Sequence, residues 1–177
     1  MPVTPATTPS ADTRPPPDEI ALTEYKQIKA EQASRIGTRD NLLYATMVAI
    51  GAVIASSPAP ARFLLIPPVT FILGWTYLAN DHMITAIGRY VRDHPSLTGM
   101  LWETEHSADK RRRSRKATQL AVDLATFCGS GLVALIVFWL APGPQAPLLL
   151  TASAIETLAT GLLACQFVRY AELSNHQ

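Results

Sequence analysis

The sequence predicts an all-α membrane protein: a four-helix transmembrane bundle made of two hairpins, with a cytoplasmic N-terminal amphipathic helix and a cytoplasmic helical connector between the hairpins. Three observations predict it. Apolar stretches cover residues 41–57, 63–80, 117–140 and 146–168, and Asp123 and Glu156 are the only charges inside them. Each stretch approaches or exceeds the ~17–25 residues that a helix rising ~1.5 Å per residue needs to cross a hydrocarbon core of ~30 Å. The third observation is where the 15 Lys and Arg residues fall. Arg14, Lys26, Lys29, Arg35 and Arg39 precede the first stretch, eight basic residues lie within 81–116, Arg169 follows the last stretch, and Arg62 alone falls in a loop on the other side. Cytoplasmic flanks collect Lys and Arg, so a multi-pass protein of the plasma membrane is expected, with both termini and 81–116 inside and 58–62 and 141–145 outside. A content of 48% hydrophobic against 16% charged residues fits that arrangement better than one soluble domain.

Along the chain, residues 1–17 carry Pro2, Pro5, Pro9 and the run Pro15-Pro16-Pro17 among Thr and Ala, with no apolar pattern to bury, and are expected to be disordered. Asp18 is a fitting helix N-cap, and Leu22, Tyr25, Ile28, Gln32 and Ile36 recur at three- and four-residue spacing, so 18–40 reads as an amphipathic helix running into span 1. The first apolar stretch starts too far into the chain for a cleavable signal peptide and is expected to be retained. Pro58 and Pro60 stop span 1 and turn the first hairpin, because proline lacks the amide proton and clashes with the preceding turn. Pro67-Pro68 are tolerated in a first helical turn but would kink a helix begun at Phe63, which predicts irregular backbone there. Beyond Asn80, Ile84, Ile87 and Val91 keep helical spacing as far as His94-Pro95, and Leu97, Met100, Leu101 and Trp102 form a short interfacial segment of the 81–116 connector. Pro142, Gly143, Pro144 and Pro147 turn the second hairpin, and 169–177 is a short cytoplasmic tail.

Chemistry is sought first at the two intramembrane carboxylates, since a charge at the centre of a bilayer costs at least ~2.5–3.5 kcal/mol and needs compensation. Gln119, Asp123, Thr126 and Ser130 share one face of span 3, and Ser153, Glu156, Thr157 and Thr160 answer from span 4. These faces read either as an ion or proton site or as the small and hydroxylic residues through which membrane helices pack. Antiparallel spans 3 and 4 put residue 156 opposite about 130, so Glu156 is expected beside Ser130 and Gly131 and apart from Asp123. The same spacing sets Cys128 level with about residue 158 and away from Cys165, predicting two buried free thiols. Lys110, Arg111, Arg112, Arg113, Arg115 and Lys116 form a basic run at the mouth of span 3. Its expected role is to fix orientation and attract anionic lipid headgroups, at ~1 kcal/mol per residue. It has no aromatic interleaving, so no nucleic-acid partner is expected. Glu103 and His106, with Glu105, Asp109, Asp81, His82 and His94 nearby, make half of a di-iron motif, and no metal or other cofactor is expected. The chain has neither a G-x-S-x-G elbow nor a phosphate-cradling glycine loop, so no catalytic residue is assigned.

The stretches EQASRIGTRDNLLYAT (31–46) and LGWTYLANDHMITAIGRYV (73–91) resemble small integral membrane proteins of actinobacterial type that carry no assigned activity. The resemblance implies topology and a plasma-membrane location and brings no site residues with it. The functional expectation is therefore a non-enzymatic membrane protein that works through self-association or a membrane partner, as a regulatory subunit, scaffold or conditional pore. The alternative is a small proton or cation channel or transporter using Glu156 and Asp123.

Overall fold

The computed structural model describes residues 17–56, 58–93, 112–142 and 146–173, and all secondary structure among them is helical. Helix α1 (Pro17–Ser56) is one unbroken rod of 40 residues, about 60 Å at 1.5 Å per residue. It begins on a proline, whose missing amide proton is no loss in a first turn, and stops before Pro58. A 3₁₀ turn, Pro60–Leu65, follows extended Ala59 and leads into α2 (Ile66–Asp93). The irregularity expected around Pro67-Pro68 takes this form: because α2 starts at Ile66, both prolines fall in its first turn and the helix beyond them runs on to Asp93. Helix α3 (Arg112–Asp123) passes through a π-helical segment, Leu124–Gly129, into α4 (Ser130–Leu140), and α5 (Pro147–Leu173) closes the fold.

Three helical rods are long and apolar enough to cross a membrane: Pro60–Val91, Lys116–Leu140 and Pro147–Ala171, with mean hydropathies of 1.4, 2.1 and 1.7. Helix α1 is not among them. Its apolar part, residues 41–56, ends just short of the ~17–25 residues of a full span and is continuous with a half bearing Lys26, Lys29, Arg35, Arg39 and Asp40.

Helix α2 is the hub. It packs on α1, on α4 and the π segment, and on α5. Helices α1 and α2 run antiparallel, as shown by Tyr90 donating to Glu24 at 2.8 Å, Asn80 Nδ2 to the Arg35 carbonyl at 2.6 Å, and Arg39 Nη1 to Asp81 Oδ1 at 3.3 Å. The interior has two apolar clusters. One is Tyr77, Phe127, Cys128, Leu163 and Phe167, in which the Tyr77 and Phe127 rings meet tilted at 5.0 Å and the Phe127 and Phe167 rings stack at 6.0 Å. The other, Leu64, Leu135 and Phe138, lies at the opposite end.

The surface is far more apolar than that of a water-soluble bundle, and several polar side chains are buried. Tyr44, Val48, Ile72, Val133, Leu148 and Leu158 are each at least 60% exposed, while Thr46, Thr70, Asn80, Asp123, Ser153 and Thr160 are buried. A water-soluble monomer rarely exposes apolar patches beyond a few hundred Å², whereas in lipid the same surface costs nothing and the polar groups turn inward. Several of the inward hydroxyls bond their own helix: Thr46 to the Leu42 carbonyl at 2.7 Å, Thr70 to Pro67 at 3.1 Å, Ser153 to Leu150 at 2.8 Å.

The register of α4 against α5 corrects the sequence-based levels. Trp139 Nε1 donates to Ser153 Oγ at 3.0 Å, and a Cβ on Gly131 would lie 3.6 Å from Thr160 Oγ1. Residue 156 is thus level with about 136, not 130. The first turn of α5 overhangs the end of α4, which the midpoint of the connecting turn does not reveal. By the same shift Cys128 is level with about residue 164. Both thiols are free, but only Cys128 is buried, and Cys165 is exposed on α5.

Candidate functional site

The side chains that cluster most tightly around a carboxylate lie at the charged end of the three apolar rods. Asp123 closes α3, immediately before the π segment, and is 6% exposed. Its carboxylate lies next to the hydroxyl of Tyr77, one of the aromatic cluster on α2. The Tyr77 oxygen in turn accepts from Gln119 Nε2 at 3.4 Å, one helical turn before Asp123. One turn beyond Tyr77, Asp81 pairs with Arg39 of α1 at 3.3 Å, both side chains being less than a quarter exposed. The Asp81 carbonyl accepts from Tyr170 of α5 at 3.4 Å, and the Tyr170 ring lies 5.5 Å from that of His82. Four helices therefore contribute to one polar assembly.

Local sequence explains each placement. Gly74 lets the π segment approach α2: a Cβ there would stand 2.9 Å from Leu163 Cδ2 and 3.0 Å from Phe127 Cβ. Phe127 packs at a tilt against the Tyr77 ring, 5.0 Å between centroids, and so fixes the height of the phenol beside Asp123. In the π segment the Ser130 amide bonds the Ala125 carbonyl, five residues back. Such wide turns are uncommon and frequent at functional sites, because the extra residue re-aims the side chains around it. The assembly borders a cavity of about 250 Å³, whose polar wall includes Arg39, Tyr77, Asp81, Lys116, Gln119 and Asp123.

The structure separates the sequence-predicted residues into three places. Asp123 and Gln119 are in the assembly just described. Ser130 Oγ donates to the backbone carbonyl of Thr126, one turn back on the same helix, so Ser130 does not serve Glu156. Thr160 is buried beside Gly131 and Thr70. Glu156 stands about 20 Å along α5 from the level of Asp123, by 1.5 Å per residue, and its buried Oε2 has no hydrogen-bond partner among the described residues. Of the basic run, Lys110 and Arg111 lie outside the described residues. Arg112, Arg113 and Arg115 open α3, and Lys116 reaches the cavity wall. Glu103, Glu105, His106, Asp109 and His94 also lie outside the described residues, and among those described no three His, Cys, Asp or Glu side chains converge on a metal position.

Sequence reasoning missed Arg39 and Tyr170 as partners. The available signal was that Arg39 is the last basic residue of the charged half of α1 as Asp81 begins the charged extension of α2, so that oppositely charged residues sit near matching boundaries of consecutive antiparallel helices. Comparison with protein-family models, curated proteins and solved structures finds no match to this chain.

Proposed function

We propose that the chain is a non-enzymatic, multi-pass protein of the plasma membrane that acts by associating with a second copy or with another membrane protein, as a regulatory subunit, scaffold or conditional pore. In this reading the apolar half of α1 joins the three long rods as a fourth span, the spans form two hairpins, and both termini and 81–116 face the cytoplasm. The basic asymmetry of the loops supports that orientation. The carrying observation is Glu156: a carboxylate set in an apolar rod, one of whose oxygens has no hydrogen-bond partner among the described residues. Holding it in lipid costs ~2.5 kcal/mol or more, and a donor from another helix would offset that cost.

The surface around Glu156 suits such a helix. Only 17% of the apolar stretch of α5 is buried in the bundle, the smallest share of the three rods. A cavity of about 270 Å³ beside it is lined by Gly129, Thr157, Thr160, Gly161 and Ala164, among others, and a Cβ on Gly161 would meet nothing within 4 Å. Small and hydroxylic residues allow close approach and interhelical hydrogen bonds. Crosslinking in native membranes through Cys165, exposed on α5, and native mass spectrometry from lipid test the proposal. A strictly monomeric protein that brings no partner through purification contradicts it.

A second reading, a proton or cation path, is favoured by one observation: Asp123 opens onto the polar cavity at the charged end. Flux in liposomes should then fall on Asp123→Asn. Flux that is absent from the parent protein, or unchanged in the variant, removes this reading.

A further inference from the structure

We propose that the cavity between Arg39, Asp81, Lys116 and Asp123 binds a headgroup carrying both a phosphate and a primary ammonium, the phosphate towards Arg39 and Lys116 and the ammonium towards Asp81 and Asp123. The inference rests on the membrane reading above and adds to it a ligand at the end of the bundle remote from Glu156.

Position comes first. Arg39 is the last basic residue before the apolar half of α1, Asp81 follows the apolar part of α2, and Lys116 opens the second of the three long rods. These are three independent boundaries between apolar and charged sequence, and the fold brings them to one cavity. In a bilayer that level is the headgroup layer. Charge comes next. Two basic and two acidic side chains line the same cavity. A ligand of one sign would leave the opposing pair facing like charge, whereas a zwitterion satisfies both.

Bonding capacity agrees with this division. Arg39 Nη1 reaches Asp81 at 3.3 Å and its Nε stands 3.5 Å from Asp40 Oδ1, and the Nε, though buried, makes no hydrogen bond among the described residues. A guanidinium engaged only at such lengths retains donors for a phosphate oxygen, with which it forms short, charge-assisted bonds. On the other side the carboxylates of Asp81 and Asp123 and the phenol oxygens of Tyr77 and Tyr170 are acceptors. A primary ammonium has three N–H donors to give them, and a trimethylated one has none. The volume of about 250 Å³ falls below the ~300–1,000 Å³ of sites for drug-sized ligands. Leu78, Ile84, Leu120 and Phe167 supply an apolar edge where an attached chain can leave.

The test uses the full-length protein purified from membranes and exchanged into nanodiscs of phosphatidylethanolamine, phosphatidylcholine or phosphatidylglycerol, with retained lipid counted by native mass spectrometry. The expected result is a preference for the ethanolamine lipid over the choline lipid on the order of tenfold, the loss of one charge-assisted hydrogen bond. Lys116→Gln and Asp123→Asn should each reduce that preference. Equal retention of ethanolamine and choline lipids, or preferred retention of the glycerol lipid, overturns the proposal without recourse to any variant. Added soluble phosphoethanolamine distinguishes the two sources of the same chemistry: retention that survives it assigns the site to lipid, and full displacement assigns it to a free solute. Membrane fractionation separates the two levels of the argument. A chain that fails to partition into membranes defeats the membrane reading itself, and a membrane-bound chain without headgroup preference defeats this inference alone.

Discussion

Replacing Gly74 with alanine places one methyl group where three helices meet. The new Cβ would stand 2.9 Å from Leu163 Cδ2, 3.0 Å from Phe127 Cβ and 3.1 Å from Phe127 Cγ. The leucine methyl is the end of a rotatable chain, but Phe127 Cβ is fixed to the backbone of the π segment, and both residues are essentially fully buried. Relief therefore requires the π segment to move away from α2 by a few tenths of an ångström. Overpacking of this kind costs ~1–3 kcal/mol. Alanine recovers up to ~1 kcal/mol of helix propensity, which leaves a net loss of about 1 kcal/mol. The displacement also draws Phe127 from its 5.0 Å tilted contact with Tyr77, so the approach of Tyr77 to Asp123 should loosen with it. Equilibrium unfolding in mixed micelles, titrated with denaturing detergent, measures the loss. Gly37→Ala is the control, since a Cβ there meets nothing within 4 Å, and it should be neutral or stabilising. A Gly74→Ala protein as stable as the control would refute the close approach of α2 to the π segment, and with it the placement of Tyr77 at Asp123.

Three further outcomes follow from the same contacts. Glu156→Gln keeps a donor and an acceptor and should preserve folding and assembly, whereas Glu156→Leu should weaken helix association by ~0.6–2 kcal/mol; sedimentation equilibrium in detergent reads the difference, and unaltered assembly in both variants removes Glu156 from the site. Asn80→Ala removes the 2.6 Å bond to the Arg35 carbonyl and should cost ~1 kcal/mol, seen as faster hydrogen exchange in 17–40; exchange at the parental rate would show that Asn80 does not hold α1 to α2. Asp81→Asn and Arg39→Gln each break the 3.3 Å pair at up to ~1 kcal/mol, and the double variant should lose less than the sum of the two; strict additivity would mean that the pair does not couple the helices.

The helical class and the apolar rods were legible because hydrophobic length and the prolines at 58, 60, 142 and 147 are local signals, and nothing distant competes with them. The apolar part of α1 was less legible. Its sequence reads as a span, yet the helix joins it without a break to a charged half, and length alone does not divide a continuous rod. Asp123 and Glu156 stood out as isolated charges in apolar sequence, but their surroundings did not. Asp123 acquires Tyr77, Arg39 and Asp81 from helices whose register depends on Gly74 and on the π segment, and a π turn leaves no periodic signature in six residues. The level of Glu156 shifted by more than a turn because α5 overhangs α4, a consequence of packing at Trp139 and Ser153 that connection length does not encode.

The central claim, a multi-pass protein whose charged end and termini face the cytoplasm, is tested most directly by cysteine accessibility. Single cysteines at Ser107 and Gly143, in a background with Cys128 and Cys165 replaced by serine, report on the two sides of the membrane. In intact cells an impermeant maleimide should label position 143 alone, and position 107 should become reactive only after permeabilisation. Labelling at 107 in intact cells would invert the topology and contradict the account.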